Sequence, residues 1–180
     1  MLGRFGRLLQ IAPHYAYNAW EGLFGHRVRG PSEVAQGVIQ QGDRVLLCMR
    51  SNLRGWELPG GNLGEGESPE DGARREILEE TGLEVEVGDL VGRYRRSGFL
   101  PHTAWVYRCR VCGGEPTPSP ETPRVEWFEL ANLPETIFPW FAGPLKDALT
   151  GARGLERNEY QGLGAILAGA KIDIKNRLRG

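Results

Sequence analysis

The chain has 180 residues, a quarter of them charged, and a net charge of −1. That length suits one domain whose core needs no staples, and no apolar run approaches the ~20 residues that cross a bilayer. Residues 1–30 and 171–180 carry +3 each, so the centre carries about −7 by subtraction, a balance that argues against a nucleic-acid coat and suits a protein that gathers metal ions for an anionic ligand.

Residues 1–32 read as an arm. Leu2, Phe5, Leu8 and Leu9 stand at helical spacing, and Tyr15, Tyr17, Trp20, Leu23 and Phe24 continue an aromatic stretch. A helix packed on the domain or on a partner subunit is expected, which leaves a homodimer open. The apolar face is short for a membrane-surface helix. Leu8 to Ala12 is also too short for the core of a signal peptide. Three cysteines, Cys48, Cys109 and Cys112, make no disulfide framework, so a reducing, cytoplasmic setting is expected.

Glu33 to Gln40 alternates as a strand, Gln41-Gly42-Asp43 turns, and Arg44 to Met49 returns. Trp56 to Leu58 reads as a short strand before a loop at Pro59-Gly60-Gly61. The clearest helix runs from Pro69 to Thr81. Ser68 suits the N-cap, Pro69 the first helical position and Gly82 a left-handed stop. Leu83 to Val87, Leu90 to Arg95, Thr103 to Val111 and Val125 to Glu129 read as strands. Gly113 to Pro123 is a proline-rich loop. A helix is expected over Trp140 to Leu149, and a weaker one over Tyr160 to Ala170. Cys109 and Cys112 are three apart on a strand, so they point to opposite faces and make no paired site.

On the helix, Glu76, Glu79 and Glu80 stand at i, i+3 and i+4 and share a stripe, with Ala73, Ile77 and, less directly, Leu78 on the buried side. Read alone, such a stripe is a solvated acidic face paired with Arg74 and Arg75. Read as a ligand set, it offers hard oxygens that suit Mg²⁺ or Mn²⁺ rather than structural zinc.

The surroundings decide between these readings. Gly61 is followed after five residues by Glu67, after seven more by Arg75-Glu76-Ile77, then by Glu79-Glu80 and Gly82-Leu83. Every fixed position of the G-x5-E-x7-R-E-U-x-E-E-x-G-U box is met, and the chain resembles the Nudix hydrolase superfamily. The resemblance implies an α/β/α sandwich with a mixed sheet over residues 33–150; the N-terminal helical arm over 1–32 and a helical extension over 151–180 lie outside it and are expected from the residues alone. It implies a Mg²⁺- or Mn²⁺-dependent hydrolase that cleaves a nucleoside diphosphate linked to another moiety, such as a nucleotide sugar, ADP-ribose or a (d)NTP. Glu76, Glu79 and Glu80 would then hold the metal, joined by a backbone carbonyl at Gly60 or Gly61. Glu67 and Arg75 would brace the loop against the helix.

Glu79 or Glu80 is a candidate base. So is Glu121, six residues before Trp127, with Glu126 its rival. Arg50 and Arg54 are candidate phosphate grips, and Trp56 reads as packing. Phe99, His102 and Trp105 are equally base-pocket and sheet-face candidates. The array of NADH pyrophosphatases is not seen after the box. Pro101 is slightly late for the ADP-ribose mark, and Tyr94 and Tyr107 miss the dinucleoside-polyphosphate mark. The expected partner is a nucleotide-type small molecule, with no stable nucleic-acid or membrane partner. The competing reading is a catalytically silent domain that senses a nucleotide or binds a partner.

Overall fold

The computed structural model describes residues 32–98 and 101–179. Residues 1–31 of the expected N-terminal arm, and Phe99, lie outside the described residues; Ser32 already belongs to the first strand. Eight strands form one mixed sheet: β1 (Ser32–Gln41), β2 (Arg44–Met49), β3 (Trp56–Glu57), β4 (Gly60–Asn62), β5 (Leu83–Gly98), β6 (His102–Gly114), β7 (Arg124–Glu129) and β8 (Leu155–Gln161). Its main order is β3-β2-β1-β6-β5-β8, with β4 on β1 and β7 on β2. The β1–β6 and β5–β8 pairs are parallel and the remaining pairs antiparallel.

Helix α1 (Pro69–Thr81) covers one face, where Ala73 and Ile77 are fully buried with Ala35, Ile39 and Leu46. Helix α2 (Pro139–Leu149) covers the other, burying Phe141, Leu145 and Ala148 with Val38, Val91, Tyr94 and Val106. Helix α3 (Leu163–Arg179) follows β8 and adds Ile172 to the second core. Because layers cover both sides, β1 buries five consecutive residues instead of alternating. The result is the three-layered α/β/α arrangement expected from the resemblance. No helix among the described residues is long and apolar enough to cross a membrane.

Four details differ from the sequence reading. Gly60–Asn62, expected as loop, is a short strand against Val34, Ala35 and Gln36. The two strands expected between Leu83 and Arg95 are one long strand, β5, with register shifts at Val87/Leu90 and Leu90/Gly92 that mark bulges. Leu78 is 47% exposed and takes no part in the core. Residues 155–161, placed in a helical extension, pair along β5 as an edge strand, and the helix begins at Leu163. This strand is polar and held by ions: Arg93 and Arg95 reach Glu156, Arg96 reaches Glu159, and Arg157 reaches Asp147. Polar, charged edges are how sheets avoid further pairing, and they leave no apolar alternation to read.

Candidate active site

The ends of α1 are set by local chemistry. Ser68 Oγ accepts the Asp71 N–H at 3.1 Å and donates to Asp71 Oδ2 at 2.7 Å. Pro69 opens the helix without a hydrogen-bond loss. Gly82, at φ 72°, closes it with its N–H on Leu78 O. These caps fix the two ends of the helix, while burial of Ala73 and Ile77 sets its roll and places Glu76 and Glu80 against β4.

The loop before the helix is locked to it by a bidentate pair. Arg75 Nε donates to Glu67 Oε1 and Nη2 to Glu67 Oε2, both at 2.8 Å. Glu67 Oε2 also accepts the Gly64 N–H at 2.7 Å, and Arg75 Nη2 reaches Asn62 O at 3.0 Å. The hydrogen bonds from Arg75 and then Gly64 pull the Glu67 carboxyl down to about 2. Arg75 Nη1 lies 2.8 Å from Glu76 Oε1 and 3.4 Å from Glu79 Oε2.

The three glutamates do not share one environment. Glu79 is exposed, Glu76 half-buried and Glu80 only 3% exposed. The Glu76 carboxylate lies over the Gly61 Cα, where a Cβ would sit 2.3 Å from Oε2. Gly61 is therefore the space that the Glu76 carboxylate uses. Glu80 Oε2 accepts the Gly60 N–H at 2.8 Å. Gly60 itself stands at φ 145°, and a Cβ there would meet Ala35 O at 2.1 Å.

Arg50, just past β2, reaches into this cluster. Its Nε donates to Glu57 Oε1 at 2.7 Å, Nη1 to Glu121 Oε1 at 2.6 Å, and Nη2 to Gly60 O at 2.8 Å. Nη2 also lies 2.8 Å from Glu80 Oε1, but its hydrogen-bonding geometry favours Gly60 O. That buried Glu80 oxygen thus has an ion-pair neighbour and no aligned donor. Burial pushes Glu80 up to about 7, against the pull of Arg50 and of the Gly60 N–H. Burial likewise pushes Glu57 up to about 8, against Arg50 and helped by Glu80. Burial alone would lower Arg50, but Glu57 and Glu80 outweigh it and hold it raised. Cys48 Sγ sits 3.8 Å from Glu80 Oε2, and burial first, then Glu57 and Glu80, raise its thiol.

The structure thus brings together Glu76, Glu80, Glu121, Arg50, Gly60 and Gly61, with Glu67 and Arg75 behind them. Glu121 joins because Ser51 N–H holds its carbonyl at 2.8 Å, while Thr122 is fully buried and donates its hydroxyl to Glu80 O. Glu126 instead bonds Arg124. Arg54 is held through its backbone, N–H to Asp173 and C=O from Asn176, and no ion pair joins it to these carboxylates among the described residues. Trp56 is buried edge-on to Phe128. His102 meets Arg96 at 3.1 Å, and Trp105 lies under Arg93. Cys109 is buried and Cys112 exposed, as opposite faces require.

Two participants escaped the sequence reading, Glu57 and Thr122. A signal for Glu57 exists: it pairs with Cys48 across β2–β3 and so shares the α1-facing side.

A family model described as the NUDIX domain matches residues 31–149. The chain is a Nudix hydrolase. It is 38% identical over 138 residues to a MutT-like protein of Streptomyces ambofaciens, covering 76% of this chain and 87% of that one. It is 31% identical over 116 residues to a putative 8-oxo-dGTP diphosphatase of Bacillus subtilis, covering 64% and 78%. Among solved structures it is similar to an ADP-ribose pyrophosphatase from Streptococcus suis, with a TM-score of 0.60, 28% identity, and 72% and 99% of the two chains covered. Relatives of this Nudix hydrolase are thus named as diphosphatases or pyrophosphatases.

The donor set fits a hard divalent cation. It offers carboxylate and carbonyl oxygens, a Cys48 thiol that burial keeps protonated beside Glu80, and one buried oxygen, Glu80 Oε1, without an aligned donor. As the side chains stand, no three acidic, histidine or cysteine groups among the described residues converge on one point. Arginines occupy the oxygens instead, Arg75 bridging Glu76 and Glu79, Arg50 bridging Glu80 and Glu121.

Proposed function

We propose that this Nudix hydrolase cleaves the phosphoanhydride bond of a nucleoside diphosphate linked to another moiety, with Mg²⁺ or Mn²⁺ held by Glu80, Glu76, Glu79 and the Gly60 carbonyl. The observation that carries this is Glu80: a buried carboxylate, one oxygen undonated, beside the Gly60 carbonyl on the box helix. When bound, the cation would neutralise phosphate oxygens and acidify the attacking water. Glu67 and Arg75 keep the ligand-bearing helix and its loop in one geometry. Glu121, two-thirds exposed at the rim, is the side chain offered to take the proton from water. Arg50 supplies a fork that matches a phosphate.

The names of similar proteins point to two substrates, 8-oxo-dGTP and ADP-ribose, and both contain a nucleoside diphosphate. That shared element is the substrate class proposed here. Incubation with Mg²⁺ and a panel of (d)NTPs, oxidised dGTP, ADP-ribose, NADH, nucleotide sugars and diadenosine polyphosphates is the test. Chromatographic release of a nucleoside monophosphate, abolished by EDTA, is expected. Turnover that survives EDTA, or silence across the panel with nucleotide binding retained, would overturn the reading and favour a sensing domain.

A further inference from the structure

Arg50 does more than line the site. Its single guanidinium takes oxygens from four segments: Glu57 on β3, the Gly60 carbonyl on β4, Glu80 on α1, and Glu121 before β7. Two of these, Gly60 O and Glu80, are ligands of the proposed cation, and the third, Glu121, is the base proposed beside it. They are held by Nη1 and Nη2, the outer nitrogens. The fourth, Glu57, is held by Nε, the nitrogen nearest the backbone, and Glu57 is the most deeply sheltered partner after Glu80. Ionised together, the three carboxylates exceed the guanidinium by two charges, so the cage is not satisfied by Arg50 alone.

We propose that Arg50 is a built-in counter-cation of the metal site, one that a divalent ion must displace from Gly60 O, Glu80 and Glu121 while Glu57 keeps hold of Nε as a pivot. This rests on the metal site proposed at Glu80 and Gly60. A guanidinium and a divalent cation compete for the same oxygens, and both cannot lie among them. Loading therefore frees the Nη fork, and a freed fork anchored at Nε can bind a substrate phosphate. Arg50 would then carry charge in two places in turn: on the cage before loading, on the anion after it. A permanent brace would behave differently, because removing it would loosen the cage and weaken metal binding.

The test is Mn²⁺ affinity, read from the electron paramagnetic resonance signal of free Mn²⁺ with the full chain and no nucleotide. If the guanidinium fills the cage about nine-tenths of the time, its removal tightens apparent binding about tenfold. Arg50→Met is expected to bind Mn²⁺ about tenfold more tightly than wild type. Arg50→Lys, which keeps the charge but cannot span four oxygens, is expected in between. Arg50→Met should also melt lower than wild type in EDTA and gain more from saturating Mn²⁺, which shows that the variant still folds around its cage.

Equal or weaker Mn²⁺ binding by Arg50→Met overturns the displacement. So does an Arg50→Lys protein that binds no tighter than wild type, since charge alone would then explain the effect. Absence of Mn²⁺ binding in every protein would remove the metal site itself, and the displacement with it.

Discussion

Gly61→Ala isolates one carboxylate without touching the fold. Gly61 lies in β4 opposite Ala35, and its φ is not among the positive ones, so an alanine backbone is tolerated. The new methyl would stand 2.3 Å from Glu76 Oε2, 2.4 Å from its Cδ and 2.7 Å from Oε1. Ordinary contact for such atoms is about 3.5 Å, so the carboxylate must retreat by about 1 Å. It is the far end of a flexible side chain, and an off-rotamer shift costs about 0.5–1.5 kcal/mol. For a chain of this size that lowers Tm by roughly 1–6 °C. A misplacement of about 1 Å at a catalytic group costs on the order of 10² in rate. The assay is kcat/KM with saturating Mg²⁺ alongside calorimetric Tm. A hundredfold loss with a small Tm change is expected. Wild-type kcat/KM would refute the placement of Glu76 in the machinery. Gly60→Ala supplies the contrast: its methyl would meet Ala35 O at 2.1 Å at φ 145°, so the β1–β4 pairing itself should fail and little folded protein should be recovered.

Thr122→Val removes the hydroxyl that joins the Glu121 loop to Glu80 O and Ser119, and leaves a buried carbonyl undonated. A loss of about 1–3 kcal/mol in urea denaturation is expected, with reduced activity; unchanged stability would show that the loop is held elsewhere. Stability in EDTA should depend on pH through Glu57 and Glu80. Both have folded values raised above the unfolded ones, to about 8 and about 7, so their contribution is full below the unfolded value and is lost as pH rises through 7 to 8. Glu67, depressed to about 2, acts in the opposite sense and loses its contribution as pH falls from the unfolded value toward 2. Urea midpoints in EDTA should therefore decline from pH 6 to pH 9, and Mg²⁺ should remove most of that decline; a flat profile would count against a buried, crowded pair. Asp173, fully buried on α3, accepts from the Arg54 N–H at 2.7 Å and pairs with Arg177, whose Nη2 reaches Asn52 O. Asp173→Ala should cost about 3–5 kcal/mol by leaving Arg177 and the 51–55 loop without it, as read by chemical denaturation; a loss below 1 kcal/mol would show that α3 does not tie that loop.

Helix α1 was legible to the residue because its limits are local. Ser68, Pro69 and Gly82 act through hydrogen bonds and dihedrals within a few residues of themselves, so no knowledge of the sheet is required. The Glu67–Arg75 brace, eight residues apart, was legible through the box, since loop and helix together set its reach. The strand β8 was not, because it is an edge held by ion pairs to residues more than fifty positions earlier, and its polar side chains carry no alternation.

The carboxylate stripe shows the division most clearly. Spacing places Glu76, Glu79 and Glu80 along one side of a helix, but it does not say how the helix is rolled on the sheet. Packing of Ala73 and Ile77 turns Glu80 inward to Gly60, leaves Glu76 on Gly61, and points Glu79 to solvent. Arg50 meets Glu57 seven residues away, Glu80 thirty away and Glu121 seventy-one away. Residue types and short spacings establish the box, its helix and the class of chemistry. Which oxygens face one another, and which arginine stands among them, depends on contacts between distant segments, and only the folded sheet brings those segments within reach.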